Sequence, residues 1–261
     1  MSSPSEHRDH EFWRAFLEHP DTFMRVGRRF MSRIPASPRC QLCAAPFAGV
    51  GGPVMRLIGK RPSEGNPNVC NTCEKVLIKY HGGAEVDGSM VFADIRGSTT
   101  LAEHMSPAAF GALLDRFYTA ASESVFAHAG IVDKFVGDEL VAVFPPMYGP
   151  DHAARAVETA KAVLRATGHA DPSGPWAPVG AGVHTGRVWF GAIGEGNHVE
   201  ITVVGDAVNT AARLASQAAA GEILVSTDAA TAAGLDPGLA RRSLDLKGKE
   251  LPTEVVTLHV G

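Results

Sequence analysis

No apolar run in these 261 residues approaches the roughly 18 needed to cross a membrane. No secretory leader is expected either: the opening MSSPSEHRDH is polar and no hydrophobic stretch follows it. Both absences lead us to expect a cytoplasmic protein. Cysteine is scarce, with four residues in all. In a reducing compartment four thiols are expected to be ligands rather than disulfide partners. The familiar phosphate loops are lacking too. A Walker A motif needs G-x-x-x-x-G-K-[ST], but Gly59-Lys60 runs into Arg61, and the preceding glycine, Gly52, is at the wrong distance. Gly180-Ala181-Gly182 does not continue as G-x-G-x-x-G, and no internal repeat is present.

What remains is a chain of ordinary globular composition, 45% hydrophobic and 20% charged. Its charge is uneven. Residues 1–80 hold 12 Lys/Arg against 7 Asp/Glu, and residues 81–261 hold 12 against 21. Solvated surface charge accounts for such a split more readily than an anionic partner.

Three regions are expected. Residues 1–37 are a helical segment. Over 10–32, Phe12, Trp13, Phe16, Leu17, Phe23, Val26, Phe30 and Met31 recur at helical spacing. Pro20 divides this pattern, and Pro35 and Pro38 end it. Residues 38–80 are rich in Gly and Pro and carry Cys40-Gln41-Leu42-Cys43 and Cys70-Asn71-Thr72-Cys73, with 26 residues between the pairs. Two C-x-x-C pairs suit a tetrahedral four-cysteine site resembling a zinc ribbon. So small a segment needs a staple to fold. Structural zinc is expected at Cys40, Cys43, Cys70 and Cys73, ahead of an iron–sulfur cluster or a redox dithiol. Few aromatics accompany the basic residues, which argues against nucleic acid as a partner. Tyr80-His81-Gly82-Gly83 reads as a hinge.

From residue 85 to 261 strands and helices alternate: strand 89–95, helix 106–128, strands 130–136 and 139–144 around Gly137-Asp138, and helix 151–167. Strands 179–185, 187–193 and 199–204 follow, then helix 206–218, strand 222–226, helix 227–233 and strands 240–246 and 254–260. The order β-α-β-β-α-β makes the fold class α+β with a ferredoxin-like core and additional strands. Asp94 and Asp138 each follow apolar strand residues, where a carboxylate is costly unless a cation meets it. They can hold divalent ions against a polyphosphate. Equally, Asp138 can be a turn residue and Asp94 a helix N-cap. His184, within a strand, is expected to be a packed residue.

Four motifs decide between these. Phe92-Ala93-Asp94-Ile95-Arg96-Gly97-Ser98-Thr99, Lys134-Phe135-Val136-Gly137-Asp138-Glu139, Gly182-Val183-His184-Thr185-Gly186-Arg187-Val188, and Val204-Gly205-Asp206-Ala207-Val208-Asn209-Thr210-Ala211-Ala212-Arg213-Leu214 resemble the class III nucleotide cyclase catalytic domain. The resemblance implies that Asp94 and Asp138, with the Ile95 carbonyl, bind two Mg²⁺ or Mn²⁺ ions. It implies that Lys134 and Thr202 read the purine, that Asn209 orients the ribose, and that Arg213 stabilises the transition-state phosphate. Arg187 and Lys247 match polyphosphate contacts, with Lys249 competing for the second place. Lysine with threonine at the purine positions implies an adenylate cyclase acting on ATP, since guanylate cyclases of the family typically carry Glu and Cys there. A guanylate or dual-specificity enzyme and a catalytically silent nucleotide sensor are the alternatives. Because both residue sets lie on one chain, the resemblance also implies a homodimer with two shared sites. It leaves the regulatory partner unnamed.

Overall fold

The computed structural model describes residues 4–18, 22–34, 36, 38–64, 67–80, 82–194, 200–249 and 251–260, without the side chains of 4–9, 22–25 and 78. Pro20, Pro35, His81 and the Phe23 side chain lie outside what is described. The chain divides into two compact units. The first comprises Met1–Val86, Pro145–Pro150 and Trp189–Val204. The second comprises Asp87–Phe144, Asp151–Val188 and Gly205–Gly261.

The first unit holds helices α1 (Pro4–Glu18), α2 (Thr22–Met31), α3 (Gly51–Leu57) and α4 (Asn71–Lys79). Trp13 and Leu17 of α1 are fully buried. Trp13 donates from Nε1 to the Tyr80 carbonyl at 2.7 Å, and its ring meets Phe190 at 6.2 Å between centroids. The expected apolar stripe stops there. Val26 and Phe30 of α2 are each 62% exposed, while Arg28 is only 4% exposed. The helical spacing of 10–32 therefore belongs to two helices, and the second buries Arg28 while Val26 and Phe30 stay exposed.

From Gly82 onward, sequence and fold correspond closely. Strand β1 (Gly82–Ile95) pairs antiparallel with β3 (Glu139–Phe144), which pairs with β2 (Ile131–Val136). Ser106 caps helix α6 (Pro107–Ala127) by accepting from the Ala109 amide at 3.2 Å, and Pro107 needs no amide partner there. Helix α7 (His152–Ala166) leads to β4 (Val179–Ile193), which pairs antiparallel with β5 (Glu200–Val204) and parallel with β6 (Glu222–Ser226). Helix α8 (Asp206–Gln217) precedes β6 and α9 (Thr227–Ala232) follows it. Strands β7 (Arg241–Leu244) and β8 (Thr253–His259) close the chain. The sheet order is β2-β3-β1-β4-β6-β8-β7, with β5 added on β4. Its β2-β3-β1-β4 portion, built from β1-α6-β2-β3-α7-β4, is the expected ferredoxin-like core.

Three sequence-based boundaries are corrected. The strands expected at 179–185 and 187–193 are one, because Gly186 stays in the strand, where a Cβ would meet Ala207 at 3.0 Å. A short helix, α5 (Ser98–His104), lies ahead of α6 after Gly97 turns the chain at φ +70°. Gly82 and Gly83 are not a hinge but the start of β1, and Gly83 leaves no room for a side chain against the Gly191 backbone.

One glycine fixes the placement of α8. A Cβ on Gly182 would fall against the Ala211 carbonyl and the Ala215 amide of that helix. Gly182→Ala is expected to cost about 3 kcal/mol, since backbone cannot move aside as a flexible side chain can. Denaturant unfolding of the variant measures this.

Candidate active site

The end of β1 and the β2–β3 turn bring three carboxylates together in the second unit. Asp94 stands opposite Glu139 in the antiparallel register. Gly137, at φ +61°, supplies the backbone that a two-residue hairpin asks of its first central residue and leaves Asp138 at the tip. Two contacts hold that turn. The Ile95 amide donates to the Asp138 carbonyl at 3.4 Å. The Tyr118 hydroxyl of α6 donates to the Gly137 carbonyl, its ring stacked on Phe135 at 3.9 Å.

Electrostatically the cluster is short of positive charge. Burial pushes the Asp94 carboxyl up to about 6, and the neighbouring Asp138 pushes the same way. Arg96 opposes this with an ion pair at 2.5 Å. Glu139 is pushed up to about 7, by burial first and then by Asp94 and Asp138. Carboxyls raised by burial and mutual repulsion are what a divalent cation relieves. The donor set is all oxygen, as Mg²⁺ or Mn²⁺ prefers. These residues therefore fit the divalent ions that the resemblance implies.

Arg96, Tyr118 and Glu139 are site residues that the sequence reading misses. Arg96 and Glu139 sit within two positions of the two aspartates, which is the signal that could have found them. Arg96 also reaches α8, donating to the Ser216 carbonyl at 3.3 Å.

Asn209 and Arg213 lie one turn apart on α8, four residues being the spacing that shares a helix face. Asn209 is exposed. Arg213 is half-buried, and its Nη1 is buried with no hydrogen-bond partner among the described residues. A buried, unpaired guanidinium nitrogen is costly unless an acceptor arrives. Lys249 forms an ion pair with Asp206 in the first turn of α8, holding that carboxyl below its usual range. Lys247 is exposed and pairs with no described residue, so it is the more available of the two lysines.

Lys134 lies on β2 beside a register shift at Asp133, to which it is ion-paired at 3.7 Å. Arg187, on β4, meets Asp87 at 3.7 Å across an exposed surface. Thr202 is buried on β5, in the first unit, opposite Gly191. His184 is packed as expected, its Nδ1 2.7 Å from the Ser226 hydroxyl. Among the described residues no hydrogen bond or ion pair joins Asp94 or Asp138 to Asn209 or Arg213.

The model of the adenylate and guanylate cyclase catalytic domain matches residues 84–256. The chain belongs to this family. The cyclase domain is similar to the crystal structure of the guanylyl cyclase Cya2, at 27% identity and a TM-score of 0.61, covering 69% of this chain and 95% of that one. It is also similar to the adenylyl cyclase CyaB from P. aeruginosa, at 25% identity and 0.59, covering 69% and 96%. An uncharacterized protein of Mycobacterium tuberculosis is 34% identical over 185 residues, which are 68% of this chain and 32% of that protein. One of Mycobacterium bovis is 39% identical over 134 residues, 51% of this chain and 23% of the other. The chain thus spans a third or less of these curated relatives. The matched region is therefore a cyclase catalytic domain, and of the two solved structures one is a guanylyl cyclase and the other an adenylyl cyclase.

The first unit contains a second cluster. The sulfurs of Cys40, Cys43, Cys70 and Cys73 all lie within 4.8 Å of one another. The first pair sits in a tight loop that Ala44 closes at φ +57°, where the Cys40 amide donates to the Ala45 carbonyl at 2.9 Å. The second pair differs from a ribbon knuckle: Cys70 is the N-cap of α4 and Cys73 is in its first turn. Among the described residues no helix is long and apolar enough to cross a membrane.

Proposed function

We propose that the chain is an adenylate cyclase, closing ATP to 3′,5′-cyclic AMP and releasing pyrophosphate. The reading is carried by the meeting of Asp94 and Asp138 at two strand ends, inside a family match that covers both. Asp94, Asp138 and the Ile95 carbonyl would hold two Mg²⁺ or Mn²⁺ ions. Bound there, the ions lower the pKa of the 3′-hydroxyl and neutralise the triphosphate. Arg213 contributes its unpaired Nη1 to the charge that develops on the α-phosphate oxygens, and Asn209 orients the ribose. Arg187 and Lys247 draw in the β- and γ-phosphates. The family resemblance supports a homodimer in which each chain completes the other's site.

Lys134 can only donate, which suits adenine N1, and Thr202 can accept from the N6 amine. Guanine puts a protonated N1 and O6 in those places. Lysine tolerates O6, so discrimination is modest: ATP should be turned over about tenfold faster than GTP. Initial rates with both nucleotides in Mg²⁺ and Mn²⁺ test this. Faster GTP turnover would make the enzyme a guanylate cyclase, a reading favoured by the similarity to Cya2. Tight nucleotide binding without any cyclic product would make it a sensor.

The rest of the reading assigns catalysis to residues 85–261, a zinc-bearing module to 38–80, and a helical lead-in to 1–37. The protein would work in the cytoplasm.

A further inference from the structure

The cysteine cluster has an unusual neighbour. Arg28 is 4% exposed on α2, and its Nη1 donates to the carbonyls of Gln41 and of Leu42, the latter at 2.7 Å. These are the two residues between Cys40 and Cys43. The Tyr148 hydroxyl donates to the same Leu42 carbonyl at 2.8 Å, and the Arg28 guanidinium lies 4.3 Å from the centre of the Tyr148 ring. Tyr148 is 8% exposed and ends the short 3-10 turn Pro146–Tyr148, which directly follows β3. All of these residues belong to the first unit.

The geometry of the sulfurs is specific. Four thiolates about 2.3 Å from a tetrahedral ion lie about 3.8 Å apart. The Cys43 and Cys70 sulfurs are 3.8 Å apart. A multi-iron cluster places its own iron and sulfide between the cysteine ligands, and thiols within 4.8 Å of one another leave no room for that. The surroundings suit a site whose net charge with a divalent ion is −2. The Cys70 amide donates to the Cys40 sulfur at 3.3 Å and the Cys73 amide to the Cys70 sulfur at 3.5 Å. The Lys60 ammonium lies 3.9 Å from the Cys43 sulfur. The loop carrying Gln41 and Leu42 has no regular secondary structure and turns through a left-handed alanine. Backbone hydrogen bonds, among them Cys40 to Ala45 and Gln41 to Asn68, hold this loop from one side, and fixed cysteines would hold its Gln41 and Leu42 carbonyls toward Arg28 and Tyr148 from the other.

We propose that the four cysteines hold a single tetrahedral zinc ion, and that the zinc-bound loop clasps segment 145–150 through Arg28 and Tyr148. Zinc occupancy then sets the order of the connection that leaves β3. The clasp rests on the reading of the four thiolates as a zinc site, and the two parts fail separately.

The test uses the full-length protein. Metal analysis is expected to give one zinc per chain with no iron and no visible absorption band. Zinc is then withdrawn with a mercurial thiol reagent and a chelator, and hydrogen exchange is followed in peptides covering 145–150. Exchange there is expected to rise at least tenfold on zinc loss. Tyr148→Phe should keep its zinc yet exchange quickly in this segment with or without the ion. A protein without zinc would overturn the metal site. One zinc with unchanged exchange across 145–150 after its removal would overturn the clasp and leave the metal site standing.

Discussion

Asp94→Ala is expected to lower cyclic nucleotide formation by at least a thousandfold, about 4 kcal/mol of transition-state stabilisation. The melting temperature should stay within a few degrees of the parent. The two outcomes come from the same feature. In the folded chain the Asp94 carboxyl is pushed up to about 6 by burial and by Asp138, against the pull of Arg96. Its charge is therefore a burden on the fold that only a bound cation turns to use. Removing it relieves Asp138 and Glu139 of a like-charged neighbour, while Arg96 keeps its bond to the Ser216 carbonyl. Turnover assays beside thermal melts separate the two effects. Undiminished turnover by the variant would remove Asp94 from the metal site.

The second large effect is a rescue. Asp94→Ala and Arg213→Ala chains should each be inactive alone, yet an equal mixture that exchanges subunits should regain about a quarter of the parent activity. Random pairing makes half of the dimers mixed, and each mixed dimer has one of its two sites intact. The prediction takes its direction from the proposed homodimer, in which one chain brings the aspartate pair and its partner brings Arg213. Native mass spectrometry of the mixture shows whether mixed dimers form. Mixed dimers without recovered activity would place both residue sets in one chain's site.

Much of the catalytic domain was legible because its signals are local. Asp94 and Asp138 each end an apolar run, and Gly137-Asp138 is a turn dipeptide. Each of these needs only its immediate neighbours. What escaped depended on partners far along the chain. Arg28 looks like a surface cation on an amphipathic helix, and only Leu42 and Tyr148, the latter 120 residues away, make it a buried donor. Val26 and Phe30 misled for the same reason, since spacing identifies a stripe without saying whether anything covers it. Gly186 resembled a break between strands because its cause is Ala207 on a later helix. At the active site, only the fold brings the Tyr118 hydroxyl to the Gly137 carbonyl, 19 residues further on. The fold-forming pattern was thus readable, and the residues that support the site from a distance were not.

The loop between β7 and β8 bears on Arg213 through a missing side chain. Gly248 takes φ +78°, and the position of its absent Cβ is 3.4 Å from Arg213 Nη2. The flat guanidinium leans on bare main chain, while its neighbour Lys249 is moored to the start of α8. A larger residue at this spot would crowd the end of the guanidinium, so the orientation of Arg213 can be altered from position 248 without replacing the arginine itself.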